Sequence, residues 1–388
     1  RETSTVSLMA YGFDPRIGNW SPWHGSKISV LSSLSKITCM GGDARTSRLS
    51  FQEFFGRAVN EKRWGYPTAA LLGSVDAQIE CGCASIGGKD SMSGTFEDIN
   101  VPHTLVSFAV THDDVKNVTS GSFKNAGNNI YIVEVPYSEL LAPDFESFLK
   151  NNDVIYKLNS QRKIDAMYPV QAGGIAEAVT KMAMGNMIGC ELDASVYSDG
   201  KLLFTPKYGA IIIETSEELE NAGFVSSTVK KLGKTIAERS IKILNATLCG
   251  HTNPLVTISL EDCVSSWEEK LNDVFPRVSG AALQPELPSY AKDVHKSLIE
   301  VRRNPTFASP KAQPKVLLPV FPGTNCEFDM ARAFNLAGAN TKIVVLRNKN
   351  PQMLAESLQE LEKELKDTQI LALSGGFSAG DEPDGSGK

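Results

Sequence analysis

KVLLPVFPGTNCEFDMARAFNLAGANTKIVVL, Lys315 to Leu346, decides the fold class of the C-terminal part of this chain. The apolar run KVLLPV stops at a Pro-Gly turn, CEFDMARAFNLAGA carries apolar residues at helical spacing, and NTKIVVL is β-branched again. Downstream, PQMLAESLQELEKELKD reads as a second helix and TQILALSGG as a third strand. A β-α-β-α-β order predicts parallel strands joined by crossovers, with ligand-binding loops at the carboxyl ends of the strands. Residues 315–388 are too few for a complete doubly wound domain.

Working outward, residues 276–314 contain Pro276, Pro285, Pro288, Pro305, Pro310 and Pro314 with few long apolar runs, and read as a linker. Residues 116–275 alternate strands, NNIYIVEVP (128–136) and YGAIIIET (208–215), with helical patterns. GGIAEAVTKMAMGN (173–186) is predicted to be a helix opened by two glycines, and EELENAGF and SSTVKKLGKTIAE show helical periods. Residues 1–115 are predicted to hold a helix over SKISVLSSLSKITCMGG (26–42), closed by its glycines. RLSFQEFFGRAVN suits a second amphipathic helix, Pro67 restarts the chain at TAALLGSVDAQIECG, and PHTLVSFAVTHDDV (102–115) reads as a buried strand. The fold class is α/β throughout.

Of the 388 residues, 41% are hydrophobic and 22% charged, an ordinary globular composition long enough for two or three cores. A net charge of −6 supplies no basic field for a phosphate backbone, so no nucleic-acid partner is expected. No apolar run approaches a membrane span, and no membrane partner is expected. Seven scattered cysteines, including Cys81 and Cys83 with one residue between them, lack zinc spacing and suggest free thiols in a cytoplasmic protein. The chain starts without Met, at RETSTVSLMAYGF, and stops at DEPDGSGK soon after a strand; both ends read as cut from something longer.

Six stretches invite chemistry. SIGGKDSMSG (85–94) brings Gly87, Gly88, Lys89, Asp90 and Ser91 together. Bare backbone, one positive charge and hydroxyls suit an oxyanion, and the same composition suits a solvated turn. Its spacing is not that of a Walker A loop. In GGDARTSRLSFQEFF, Arg45 and Arg48 lie three apart after a glycine pair and suit either a phosphate clamp or an exposed surface. His24 in SPWHG reads as structural more readily than catalytic. The glycines of GGIAEAV could turn helix N–H groups toward a phosphate, although YPVQA before them supplies no carboxylate for a metal. PGTNCEFD and SGGFSAGDE both follow strands. Cys326 is read as non-catalytic, because it opens a helix and all five histidines precede this unit.

RETSTVSLMAYGFDP, SPWHGSKISVL, DARTSRLSFQEFF, RWGYPTAALLGSVDAQ and SIGGKDSMSGTFEDINVPHTLVSFAV, in that order, resemble phosphoribosylformylglycinamidine synthases of the large, single-chain type. PGTNCEFDMARAF and SGGFSAGDE are similar to the start of the glutaminase domain of that family. The resemblance implies an ATP- and glutamine-dependent ligase of purine biosynthesis, acting on formylglycinamide ribonucleotide, with magnesium in the full enzyme. It implies a synthetase half of the aminoimidazole ribonucleotide synthetase fold: an incomplete N-terminal subdomain (1–115), a C-terminal subdomain (116–275), a linker (276–314) and the first half of a class-I-type glutaminase (315–388). The implied partners are the remaining synthetase half and the rest of the glutaminase.

Residue by residue, the resemblance gives Gly87, Gly88, Lys89, Asp90 and Ser91 to the phosphate of the substrate or nucleotide, and Arg45 to a matching segment. Gly376, Phe377 and Ser378 would line the glutamine pocket. The glutaminase nucleophile, in a Gly-x-Cys-Asn-Gly elbow, and its His and Glu partners would lie beyond Lys388, so the polypeptide as given is expected not to hydrolyse glutamine. Ala172 stands where the family often has an Asp for magnesium-nucleotide binding, and Pro102-His103 where it tends to have Pro-Pro. Two other readings remain: another ATP-dependent enzyme of the same fold, which the fused PGTNCEFDMARAF unit argues against, and a non-catalytic assembly or binding subunit with a degenerate nucleotide site.

Overall fold

The computed structural model describes residues 3–92, 94–197, 199–248, 251–276 and 313–376. The chain divides into one unit at Arg1–Ser279 and another at Gly280–Lys388.

The first unit opens with strand β1 (Thr5–Gly12), helices α1 (Pro15–Trp20) and α2 (Pro22–Cys39), strand β2 (Arg48–Phe54), helix α3 (Glu61–Cys81) and strand β3 (Ser85–Ser91). A short hairpin, β4 (Thr95–Phe96) and β5 (Ile99–Asn100), leads to β6 (Thr104–Asp114). The sheet order is β1-β6-β2-β3, with β3 parallel to β2 and the other pairs antiparallel. Helix α2 lies across this sheet with Val30, Leu31, Leu34 and Ile37 fully buried. Its serines are buried too, yet satisfied: Ser29 Oγ donates to the Gly25 and Leu105 carbonyls, and Ser33 Oγ meets Ser107 Oγ at 2.9 Å. Small hydroxyls that bond carbonyls let a helix approach a sheet closely.

Three expectations are corrected here. RLSFQEFF is strand β2, not a helix, because Leu49, Phe51 and Glu53 alternate toward the core and Glu53 breaks the apolar pattern. Pro67 does not restart the chain: α3 runs through it from the Asn60 cap, whose side chain accepts the Arg63 N–H, to Gly82 at φ +67°. SIGGKDS is a strand rather than a turn, at the edge of the sheet among the described residues and paired on one side by β2.

The second sheet uses β7 (Asn129–Val133), β8 (Ala166–Pro169), β9 (Gly189–Asp193), β10 (Ile211–Thr215), β11 (Val229–Ile236), β12 (Ser240–Leu248) and β13 (His251–Ser259), in the order β13-β12-β9-β11-β7-β10-β8. Helices α4 (Phe145–Ser160), α5 (Gly174–Asn186) and α6 (Leu260–Glu269) complete it. Ile130 and Ile132 face one core with α5, while Tyr131 and Val133 face another with α4. The helical reading of SSTVKKLGKTIAE is also corrected. A bulge between Lys231 and Gly233 shifts the register of β11, leaving Val229, Leu232 and Ile236 at helix-like spacing.

In the second unit β14 (Lys315–Val320), α7 (Glu327–Leu336), β15 (Asn340–Val345), α8 (Pro351–Leu365) and β16 (Ile370–Leu371) form the expected β-α-β-α-β run. Its parallel sheet has the order β15-β14-β16.

Candidate functional site

The β2–α3–β3 crossover positions the 85–91 segment. Gln78 Oε1 of α3 accepts the Ser85 N–H at 2.8 Å, and the register then places Ser50 beside Gly87, Phe51 beside Gly88, Gln52 beside Lys89 and Glu53 beside Asp90. A Cβ on Gly88 would stand 2.4 Å from the Phe51 carbonyl oxygen, whereas Gly87 has open space. A cleft of about 340 Å³ opens between the strand edge and α3, lined by Phe51, Glu53, Trp64, Pro67, Thr68, Leu71, Ser74, Gly87, Gly88, Lys89, Asp90 and Met92. Four of the sequence candidates therefore share one cleft. Ser91 ends the strand and is not part of its lining.

Glu53 was not singled out by the sequence, and it is the most unusual group in the cleft. It is 7% exposed, and its carboxyl is pushed up to about 7 by burial and then by Asp90 on the neighbouring strand. Its cross-strand position next to Asp90 follows from parallel pairing, which no local motif signals.

Arg45 is elsewhere. Its Nε and Nη2 donate to Asp153 Oδ1 and Oδ2 of α4 at 2.7 and 2.8 Å, and Asp153 raises the guanidinium further. Arg48 Nη1 donates to the Ser47 carbonyl at 3.0 Å. The two arginines do not form a clamp. His24 bonds Ser21 Oγ at 2.7 Å and the Leu140 carbonyl at 2.8 Å, a structural pairing of both ring nitrogens. His103 stacks on Tyr66 with centroids 4.0 Å apart, and burial, then Arg63, lower its pKa, so it sits neutral in an aromatic layer.

At the start of α5, Gly173 and Gly174 turn as expected, and Gly174 at φ +72° fits under the Leu203 carbonyl. The helix end is already occupied by its own carboxylate: Gly173 N–H donates to Glu177 Oε2 at 2.7 Å, and Lys181 Nζ meets Glu177 Oε1 at 2.5 Å. Ala172 adds no ligand, and no group of three or more His, Cys, Asp or Glu among the described residues is placed to hold a metal. The residues here do not fit a magnesium ion. A second cleft of about 340 Å³, lined by Met9, Tyr11, Lys36, Cys39, Met40, Thr119–Gly121 and Met167–Pro169, lies nearby. Lys36 Nζ donates to the Tyr11 carbonyl at 2.7 Å and lies 4.4 Å from the Tyr11 ring; burial and then Lys181 lower its pKa.

In the second unit the two post-strand loops meet. Asn325 N–H donates to the Gly375 carbonyl at 2.9 Å, and Thr324 bridges Gly376. Phe377 and Ser378 lie outside the described residues. Cys326 is exposed at the N-cap of α7 with φ +65°.

Residues 313–388 match a family described as a CobB/CobQ-like glutamine amidotransferase domain. Residues 313–388 are therefore similar to a glutamine amidotransferase domain. Curated relatives match over part of the chain. The phosphoribosylformylglycinamidine synthase subunit PurL of Thermoplasma acidophilum is 21% identical over 288 residues, 68% of this chain and 37% of that protein. The PurL of Sulfurimonas denitrificans is 26% identical over 271 residues, 64% of this chain and 36% of its own. Together with the Methanobrevibacter smithii PurL, of which 24% is covered, they show that the chain spans 24–37% of the length of these relatives. Among solved structures, Thermotoga maritima PurL complexed with AMPPCP aligns at a TM-score of 0.52 and 10% identity, over 66% of this chain and 44% of that one. The same protein complexed with FGAR aligns at 0.51. Over about two thirds of its length the chain shares the fold of PurL, and residues 313–388 are similar to a glutamine amidotransferase domain.

Proposed function

We propose that this chain is part of an ATP- and glutamine-dependent amidotransferase that converts formylglycinamide ribonucleotide to formylglycinamidine ribonucleotide. In this reading it contributes the second synthetase half and the start of the glutaminase domain, and ammonia from glutamine replaces an ATP-activated formamide oxygen. One observation carries the reading: a PurL-like synthetase fold and a glutamine amidotransferase domain occur in one polypeptide, in that order.

The open face of the first sheet supports it. Met9 faces Val110 and Tyr11 faces Phe108 across β1 and β6, and Met9 is 73% exposed. An apolar sheet face of this kind suits burial against another synthetase half. Gly87, Lys89 and Ser91 alternate along β3 toward that same open side, where Gly87 has room for close ligand approach. They are the proposed phosphate contacts. The Tyr11–Lys36–Tyr168 cleft offers apolar walls and a cationic rim for a nucleotide.

The test is glutamine-dependent formation of the amidine by this chain joined to a first synthetase half and a complete glutaminase. Product that depends on Lys89 supports the reading. No product from a folded assembly with the 85–91 segment intact overturns it. Ala172 and the Glu177-capped helix favour one alternative, a non-catalytic binding or assembly role, in which ribonucleotide binds and is never turned over.

A further inference from the structure

Asp90 does not sit with Lys89 on the open face of the sheet. It shares the α3 side with Glu53, and the cleft there has a composition of its own. Glu53 is 93% buried by its 7% exposure, borders the cleft, and has no hydrogen bond or ion pair with a described residue. The side chain is mostly enclosed while its carboxyl borders the cleft, so a ligand that brings a donor would offset the lost hydration. The apolar walls are Phe51, Trp64, Pro67, Leu71 and Met92, and Lys89 also borders the cleft. Two carboxylates repel a phosphate, and a hydrated divalent cation, which one or two carboxylates suffice to hold, is the competing occupant.

We propose that the cleft between β3 and α3 binds an organic cation, an alkylammonium or alkylguanidinium group, with Glu53 and Asp90 as its anionic end and Trp64 as its aromatic wall. The charged head donates to the two carboxylates and the alkyl part lies against Pro67 and Leu71, as charge-assisted bonds and cation–π contacts favour. The cleft volume of about 340 Å³ admits a whole small molecule or one long side chain. The site stands independently of the proposed reaction.

The groups facing Glu53 give the binding a pH signature. β3 contributes Asp90, β6 places Leu105 opposite it, and α3 contributes Trp64, Pro67, Thr68, Leu71 and Ser74. Lys89 borders the cleft without being among the groups that shift Glu53. A cation must displace the proton that Glu53 holds below about 7, so affinity rises with pH and binding releases a proton.

Calorimetric titration of the full chain with n-butylammonium and n-butylguanidinium at pH 6 and pH 8 tests this, with n-butanol as the uncharged control. Binding at pH 8 that weakens at pH 6, and that falls about tenfold or more in Glu53→Gln and in Asp90→Asn, is expected. Glu61→Gln, at the first turn of α3, should leave it unchanged. A Gly-Lys-Gly peptide separates the two sources: tighter than the free amine assigns a protein side chain, weaker assigns a small molecule. Absence of binding by the wild-type chain, equal binding by Glu53→Gln with its fold intact, or displacement of the amine by equimolar magnesium would each overturn the proposal.

Discussion

Glu177 caps its own helix: its Oε2 accepts the Gly173 N–H at 2.7 Å while its Oε1 meets Lys181 Nζ at 2.5 Å. A helix start that would otherwise attract an anion already holds one. Burial opposes the charge, but Lys181 and the Gly173 N–H hold the carboxyl below its ordinary range. A depressed folded value means the contribution is present at neutral pH and lost as pH falls through it. Glu177→Ala is expected to cost about 1 kcal/mol at pH 7, the scale of a lost cap. Urea unfolding should show the deficit narrowing in acid.

Glu53 has the opposite sign. Its folded value of about 7 lies above the ordinary 4.5, so the folded chain holds more protons than the unfolded one between these values. Stability should therefore fall as pH rises through that window and level off above it. Glu53→Gln removes the ionisation and should gain about 1–3 kcal/mol at pH 8, with little difference at pH 4. Thermal unfolding across pH 4–8 would read both slopes.

The two glycines of β3 separate folding from ligand approach. Gly88→Ala places a methyl 2.4 Å from the Phe51 carbonyl and should cost about 1–3 kcal/mol of stability. Gly87→Ala meets nothing within 4 Å and should leave the unfolding midpoint unchanged. If Gly87→Ala nevertheless weakens ribonucleotide binding, the backbone there approaches ligand.

If the proposed function holds, Lys89→Ala in an assembly completed as above should lower ribonucleotide affinity or turnover about tenfold or more, since a charge-assisted contact is worth about 1.5–3 kcal/mol. An unchanged steady-state profile would return Lys89 to an ordinary strand position.

Arg45→Ala should do little. Its fork on Asp153 joins two half-exposed side chains, with 45% and 50% of their surfaces accessible, and such pairs contribute about 0–1 kcal/mol. Ligand titration of this variant should match the parent; a large loss would reinstate Arg45 as a contact.

The sequence disclosed elements whose apolar pattern matched their geometry. β14 to β16 with their helices, α2, α5, β7 and β10 all lie where periodicity placed them. It misled where one residue broke the pattern. Glu53 occupies a core position in β2, and the bulge before Gly233 put β11 out of phase with simple alternation. The 85–91 segment was legible as glycine-rich but not as a strand, because its pairing with β2 is made across the length of α3. For the same reason the composition showed Asp90 beside Lys89, while the fold sets it beside Glu53.

Among the described residues β3 is also the outermost strand of its sheet, with no strand paired to its other side. Such an edge is a template for unwanted pairing between chains. Two glycines, a lysine and an aspartate in succession are poor material for a stacked β-ribbon. Whatever ligand this segment serves, its polarity also guards the sheet. Replacing Gly87 and Lys89 with valine would therefore be felt first in the pellet after centrifugation, before any change in the folded state.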